Sequence, residues 1–203
     1  MINLVSNERI YGLHESLVAS GYPMHSSPIN EENFDKKIKD LRENYSDNKD
    51  IKRAKNLSKT KIGSGHDNFL NGIVVQFDLA FTIKAWTEAQ RYHFLDFVSS
   101  MSSIHKLKQM NFNECFNEYV TDRTKNEMWY LQELYVKNPT KENELKLLYN
   151  CPVGLKLTAR MTTNYRQLKT IYHQRKNHKL PEWREFCKWI ETLPCAEFII
   201  NKK

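Results

Sequence analysis

One segment limits what this chain can fold into more than any other. In residues 73–83, IVVQFDLAFTI, the large apolar residues Val75, Phe77, Leu79 and Phe81 alternate with smaller or polar ones. A period of two residues is typical of a strand with one buried face. Most of the other apolar residues recur every three or four positions, which is the spacing of helices. The sequence therefore predicts an α+β fold in which helix dominates.

Proline, glycine and polar residues mark the breaks between the predicted helices. Asn30 is a candidate cap of the first helix, and Pro181 suits the first turn of the last one. The predicted helical segments are one from residue 30 to a break at 44–50, a short basic one after that break, and then 85–97, 128–135, 145–149, 152–174 and one from residue 181. The serine-rich stretch 98–107 is predicted to be a turn.

The length of 203 residues fits a single domain, with the basic segment around 44–62 as a candidate mobile excursion. No run approaches the roughly 20 apolar residues that a membrane-spanning helix needs. The N-terminal residues include acidic and polar ones where a signal peptide would be apolar. We therefore expect a cytoplasmic protein. The four cysteines have no CxxC spacing, so we expect buried free thiols.

The net charge of +7 favours an anionic partner, and the excess of positive charge is local. One cluster consists of Lys49, Lys52, Arg53, Lys55, Lys59 and Lys61. A second cluster consists of Lys169, Arg175, Lys176, Lys179 and Arg184. Two interpretations remain open for each cluster: a solvated helix face or a phosphate-binding site.

The common catalytic motifs are absent from the sequence. The glycine-rich GSGH within KIGSGHDNFLNG (61–72) lacks the Lys-Ser/Thr of a nucleotide-binding loop and precedes a strand instead of following it. There is no HExxH motif and no nucleophile elbow. The seven histidines are scattered along the chain, so the sequence predicts no metal site.

Three passages resemble the flavin-dependent thymidylate synthases, also called thymidylate-synthase-complementing proteins. GHDNFLNG (65–72) and the strand after it are similar to that family's Gly-His-Glu-Ser-x-Leu-Glu-His passage. Leu168, Ile171 and Arg175 sit as in its Leu-x-Asn-Phe-x-x-Leu-Arg helix, and PEWREF (181–186) resembles its Ala-Gln-Trp-Glu-Ile-Arg with one residue inserted. The order and spacing agree over roughly residues 60–190.

The whole chain is also similar to a group of uncharacterised proteins of Firmicute phages and prophages. That resemblance is carried by SSIHKL (102–107) and by residues 164–194. It implies a phage protein that acts in the host cytoplasm.

The chain departs from the synthase pattern where the family carries Arg-His-Arg, seven residues and then Ser. If Ser102 is the motif serine, the three positions hold Tyr92, His93 and Phe94. The register of Ser100 instead places Gln90, Arg91 and Tyr92 there. In the family those arginines bind flavin and nucleotide phosphate, so their loss affects this chemistry more than the fold. The Glu-His that closes the first passage is replaced by Asn71-Gly72.

The resemblance implies a small antiparallel sheet flanked by helices, and sites built between the subunits of a homotetramer. It implies that His66 and His93 face an FAD cofactor. The residues expected to hold the nucleotide are Arg91, Ser100, Ser102, His105, Lys106 and Arg175. No catalytic residue is assigned, because in this chemistry the flavin supplies the hydride and folate supplies the carbon.

Alternatives remain open for the main candidates. His66 either orients a flavin or caps the helical turn that begins near Gly65. Ser100 and Ser102 hold a phosphate or belong to a ligand-free loop. Arg175 binds the nucleotide or complements a helix dipole.

Three functions follow from these alternatives. The first is flavin- and folate-dependent modification of a deoxyuridylate-like nucleotide. The second is a non-catalytic phage protein that sequesters or senses a nucleotide in the same pocket. The third, nucleic-acid binding through the basic stretch 49–61, ranks last because that stretch has no interleaved aromatic residues.

Overall fold

The computed structural model describes residues 3–200. More than half of the chain is helical, and four strands form one small antiparallel sheet in the order β1-β2-β4-β3. The strands are β1 (Val5–Tyr11), β2 (Val74–Thr82), β3 (Asp96–Ser100) and β4 (Lys156–Asn164). The predicted fold class, helix-dominated α+β with a small antiparallel sheet, is confirmed.

Eleven α-helices are seen in the described residues. They are α1 (Leu13–Ala19), α2 (Glu31–Glu43), α3 (Lys49–Ser58), α4 (Ile83–Ala89), α5 (Ser103–Lys106), α6 (Phe112–Cys115), α7 (Asp122–Lys137), α8 (Lys141–Tyr149), α9 (Tyr165–Arg175), α10 (Pro181–Ile190) and α11 (Glu197–Ile200). Short 3₁₀ turns occur at Tyr22–Met24, Asn68–Gly72 and Leu107–Gln109. None of the helices in the described range is both long and apolar enough to cross a membrane.

The chain divides into two compact units. The first unit contains the residues up to Ser6, Asp78–His93 and Phe97–Met161. The second unit contains Asn7–Phe77, Phe94–Asp96 and the residues from Thr162 onward. Each unit therefore includes part of every strand.

The first unit has a core built by α6, α7 and α8. Phe112, Phe116, Met128, Leu131 and Leu147 are buried there, and the rings of the two phenylalanines are stacked with centroids 5.1 Å apart. The buried amide of Gln132 on α7 donates to the carbonyl oxygens of Leu107 and Met110, at 3.2 and 3.0 Å. These bonds attach the segment after α5 to α7.

The second unit is built around α9 and α10. Phe77 of β2 packs against Phe186 and Trp189 of α10, with ring centroids 5.7 and 4.6 Å away. Trp183 and Tyr165 are fully buried, and the Tyr165 hydroxyl donates to the Pro194 carbonyl oxygen. Several large aromatic side chains thus pack together in this core.

Several predicted elements are confirmed. β2 matches the alternating segment, α2 starts after Asn30, whose side chain accepts from the Asn33 N–H at 2.9 Å, and α10 begins at Pro181. The short basic helix is α3, which is capped by Asn48. Helices α7 and α8 occupy the two segments predicted between residues 128 and 149.

The predicted helix over 85–97 is wrong beyond Ala89. Helix α4 starts at Ile83 and ends at Ala89, and a turn leads into β3. Trp86, Ala89, Tyr92 and Leu95 are buried at intervals of three residues, so they imitate a helical stripe although only the first two are helical.

The predicted long helix over 152–174 is also wrong in its first half. Residues 156–164 form β4, and α9 begins only at Tyr165. The side chain of Asn164 accepts from the Gln167 N–H at 2.8 Å and so starts the helix at this point. Strand β1 is an element that the sequence did not predict.

Candidate functional site

The predicted flavin-contacting His66 lies in an exposed turn between α3 and β2, which we call the glycine turn (residues 61–66). All six residues of the turn are exposed. Gly63 and Gly65 have φ angles of 89° and 83°, in the left-handed region that glycine tolerates. Asp67, not His66, occupies the N-cap position of the 3₁₀ turn Asn68–Gly72.

Asp67 forms an ion pair with Lys169 of α9 in the interior of the second unit. The Lys169 Nζ lies 2.8 Å from Oδ2 of Asp67, and both residues are fully buried. The same ammonium donates to the carbonyl oxygen of Ser58 at 2.7 Å and contacts that of Thr60 at 3.4 Å. The three donors of the ammonium therefore face three oxygens.

Because this ion pair is fully buried, the loss of either partner should strongly reduce the stability of the protein. Removing one partner of a buried ion pair costs about 3–5 kcal/mol, because the remaining charge is left in a medium of low polarity. In the sequence, Lys169 belongs to the second cluster of cations, for which a solvated helix face was one of two open interpretations. For this residue that interpretation is wrong, because the side chain is fully buried. Its position among the buried Tyr165, Leu168 and Tyr172 was the available signal, since a lysine in an apolar stripe needs a buried partner.

Arg166 is a second cation beside the same carboxylate. Its Nε lies 3.4 Å from Oδ1 of Asp67, and its side chain is partly exposed. The exposed glycine turn is thus followed by one carboxylate that faces two cations. The net charge of this trio is positive, which suits an anionic ligand.

The predicted nucleotide-contacting Arg175 is the last residue of α9. Its guanidinium carbon lies 4.9 Å from the ring centroid of Trp183, and its Nη1 lies 2.7 Å from Nε2 of His178. Only 8% of the residue is exposed. A guanidinium stacked on an indole face is held in one orientation. Its position at the helix C-terminus also fits the dipole interpretation, and its ligand remains a prediction.

Arg91 and His93 lie in the first unit, in the turn between α4 and β3. Both are exposed, whereas Tyr92 between them is 8% exposed. In the register set by Ser102, the first position of the family's Arg-His-Arg is therefore a buried phenol. Neither register provides two exposed cations.

The four other predicted contacts follow in the same unit. Ser100 ends β3 and is exposed, while the Ser102 Oγ caps α5 by accepting from the His105 N–H at 3.3 Å. His105 and Lys106 of α5 are exposed. The structure thus brings Ser102, His105 and Lys106 into one helical turn, and it places His66 and Arg175 in the other unit.

No activated thiol or metal cluster accompanies these residues in the described range. Cys115, Cys151, Cys187 and Cys195 are free. Burial raises the pKa of the Cys187 thiol to about 12, so the thiol is protonated at neutral pH and is a poor nucleophile. Within residues 3–200 no group of three His, Cys, Asp or Glu side chains is placed to hold a metal ion.

The basic stretch 49–61 is partly neutralised by nearby acids. Arg53 pairs with Asp50, Lys52 lies 3.5 Å from Asp47, and Lys55 lies 3.5 Å from Glu197. Lys49, Lys59 and Lys61 are exposed. The free positive surface is therefore smaller than the sequence indicated.

A shallow cavity of about 400 Å³ lies beside α2 in the second unit. It is lined by His25, Ser27, Pro28, Ile29, Asn33, Lys36 and Lys37. Its lysines have acidic partners, since Lys36 pairs with Glu32 and Lys37 with Asp50. It contains none of the predicted site residues.

The fold is similar to that of solved flavin-dependent thymidylate synthases. A crystal structure of ThyX from Helicobacter pylori complexed with FAD and dUMP superposes with a TM-score of 0.68 over 98% of this chain and 97% of that chain, at 16% identity. A second structure of the same enzyme with FAD and dUMP, at 2.31 Å resolution, gives a TM-score of 0.68 over 97% and 95% of the two chains, at 18% identity.

The likeness is one of fold. No protein-family model matches the chain, and no curated protein matches it. At this level of identity the backbone course is shared, while the chemistry must be argued from the side chains.

Proposed function

We propose that this chain binds a deoxyuridylate-like nucleotide and that its candidate reaction is flavin- and folate-dependent modification of that nucleotide. The observation that carries the proposal is the fold likeness to proteins complexed with FAD and dUMP, which extends over 98% of this chain. The motif resemblance in the glycine turn and in α9 supports it further, because both segments carry exposed or oriented groups suited to an anion.

The donor set of the glycine turn suits the pyrophosphate of a flavin dinucleotide. A Cβ added at Gly63 would meet no atom within 4 Å, so the backbone is open to a ligand there. Successive backbone N–H groups in such turns bind anions. Lys59 and Lys61 are exposed at the start of the turn. We therefore assign His66 and these groups to the flavin side of the proposed site.

A bound flavin would supply the hydride, and folate the carbon. The chain's own residues bind and orient the reactants. Arg175, already stacked on Trp183, would pair with the nucleotide phosphate with little loss of side-chain freedom. In the first unit, the proposed nucleotide contacts are the exposed Arg91, Ser100, His105 and Lys106 and the half-buried Ser102, and the proposed cofactor contact is the exposed His93.

A specific observation favours the second function, a nucleotide-binding phage protein without turnover. The Arg-His-Arg positions hold a buried Tyr92 and an exposed Phe94 in one register. A phage could use a binder to sequester a nucleotide signal, as it could use an enzyme to make DNA precursors. Nucleic-acid binding through residues 49–61 remains third, because three of the six cations there have acidic partners.

We also propose that the protein forms a homo-oligomer, with a tetramer as the form implied by the resemblance. The edge strand β3 and the residues after it expose Phe97, Val98, Met101 and Ile104 by 46–60%. Clustered exposed apolar residues are typical of a contact surface, and an edge strand offers unpaired backbone groups.

The first test is an absorption spectrum of the concentrated, purified protein, before and after incubation with FAD and gel filtration. Binding of dUMP is then measured by isothermal titration calorimetry, with and without FAD. Retained flavin absorbance together with dUMP binding would favour the enzyme and justify an assay with folate and NADPH.

The other outcomes are equally informative. A colourless protein that binds dUMP would reject the flavoenzyme and leave the binding protein. Failure to bind either ligand, in a sample with the expected helical circular dichroism, would reject the proposal.

A further inference from the structure

We infer that Lys169 is a positioning residue that fixes the glycine turn for its ligand by holding both ends of that turn. The inference rests on the proposed function, because the ligand of the turn is the one proposed above. It concerns three contacts of a single ammonium group, none of which involves the ligand directly.

The first contact fixes the end of the turn. Asp67 directly follows His66, and its Oδ2 lies 2.8 Å from the Lys169 Nζ. A side chain held at this distance restricts the backbone of its own residue, and the adjoining peptide unit is planar. The exit from the turn is therefore tied to the middle of α9.

The other contacts fix the start of the turn. The same Nζ donates to the Ser58 carbonyl oxygen at 2.7 Å and lies 3.4 Å from that of Thr60. These carbonyls precede the turn, whereas Asp67 follows it. The exposed residues 61–66 are thus a short bridge between two points held by one cation.

Stability alone does not account for this arrangement. A buried ion pair adds little net stability relative to apolar side chains of similar volume. What such a pair adds is a defined geometry, because one ammonium fixes the distances to several oxygens at once. A site that contacts its ligand through exposed backbone groups and a histidine requires such a fixed conformation.

The experiment measures local opening and ligand affinity in the full chain. The variants are Lys169→Met, Asp67→Asn and the double variant, each studied at a temperature where it is fully folded. The matched control is Ile190→Ala, a cavity in the fully buried face of α10 of the same unit. Hydrogen exchange followed by mass spectrometry reports peptides over 61–72, whose N–H donors include Ser64, Asn68 and Leu70.

We expect Lys169→Met to accelerate exchange over 61–72 by about tenfold or more, and to weaken binding of FAD or dUMP by about tenfold. Asp67→Asn should do the same, and the double variant should be no worse than either single variant, because the two residues act through one contact. Ile190→Ala should accelerate exchange in α10 and leave the turn and the affinity near wild type.

Three results would overturn the inference: unchanged exchange over 61–72 in Lys169→Met, additive losses in the double variant, or an equal loss of affinity in Ile190→Ala. If Lys169→Met does not fold, Asp67→Asn, which keeps the side-chain shape, decides in its place. If the wild-type protein binds neither FAD nor dUMP, the proposed function and the ligand half of the inference fail together. The exchange data would then decide separately whether Lys169 restrains the turn.

Discussion

The two units hold their candidate residues in different ways. In the second unit, Arg175 is buried against Trp183, and Asp67 is fixed by Lys169 next to His66. In the first unit, Arg91 and His93 are exposed at the surface of a turn. Arg175 and Asp67 are thus held by neighbouring side chains, whereas Arg91 and His93 are exposed to solvent.

This difference indicates which residues should contribute most to ligand affinity. Ordering a flexible side chain on binding costs about 0.5–1.5 kcal/mol. An arginine that is already stacked and hydrogen-bonded avoids most of that cost. We therefore expect the second unit to dominate affinity, while the exposed residues of the first unit adjust to the ligand or to a second subunit.

The largest expected effect is on stability. Lys169→Met should lower the free energy of unfolding by about 3–5 kcal/mol, because Asp67 is left buried without its nearest cation. Lys106→Met, at an exposed position in the first unit, should change it by about 0.5 kcal/mol or less. Urea unfolding followed by circular dichroism measures both. A loss below about 1 kcal/mol in Lys169→Met would show that water reaches the pair.

The second effect is on nucleotide affinity. Arg175→Ala should weaken dUMP binding by about 1.5–3 kcal/mol, the usual value of a hydrogen bond to a charged group. Arg91→Ala should weaken it only a few-fold, roughly 1 kcal/mol or less, because the exposed side chain must first be ordered. Calorimetric titration compares the two, with the exposed Arg42→Ala on α2 as the control for net charge. Equal losses at Arg175 and Arg91 would remove the distinction between the units.

A smaller effect concerns the helix caps of the two units. Asn164 caps the 11-residue α9 at 2.8 Å, whereas Ser102 caps the four-residue α5 at 3.3 Å. Asn164→Ala should therefore cost about 1 kcal/mol of stability and Ser102→Ala about 0.5 kcal/mol. Thermal unfolding measures both changes. The reverse order would mean that the conformation of α5 contributes more to the first unit than its length indicates.

The smallest effect depends on pH. Burial lowers the pKa of His173 on α9 below its usual 6.5, and the neighbouring Lys176 acts in the same direction. Because the unfolded chain then binds the proton more readily, stability is complete above pH 6.5 and declines as the pH falls below that value. In His173→Gln the decline between pH 7 and pH 5 should be shallower, as measured from urea midpoints. An unchanged slope would assign the acid sensitivity to other groups.

The sequence predicted β2 but not β4, and the reason is one of spacing. In β2 the large residues recur every second position, which only a strand explains. In β4, Leu157 and Met161 are four residues apart, and Tyr165 follows at the same interval. Four is both a multiple of the strand period and close to a helical turn, so these residues alone do not separate the two structures. The small alternating residues Ala159 and Thr163, buried in β4, carried the missing information.

The two edge strands, β1 and β3, are even harder to recognise from the sequence. Every residue of β3 is exposed, and β1 has no fully buried residue. Neither strand therefore needs an alternation of apolar and polar residues, which is the pattern that reveals strands in a sequence. Their existence depends on pairing with β4 and β2 rather than on their own composition.

The candidate site was predictable only where a motif is local. The glycine turn and Arg175 were predicted because short passages resemble a known family, and their role in a site stays a prediction. The Asp67–Lys169 pair was missed because its partners are 102 positions apart. Pairing of distant charges is a property of the folded chain, and a single sequence indicates only that a lysine on an apolar stripe needs a partner.

At the end of the glycine-bearing passage, three small residues limit one another's size. A Cβ at Gly72 would collide with the Oγ of Ser16 on α1, and one at Gly12, where φ is 71°, would collide with the carbonyl oxygen of Gly72. The resembling family carries histidine at the position of Gly72. A side chain at position 72 of this chain would require the Ser16 hydroxyl to move or to be replaced. Position 72 is therefore limited to glycine by Ser16, and position 12 is limited to glycine by the backbone of Gly72.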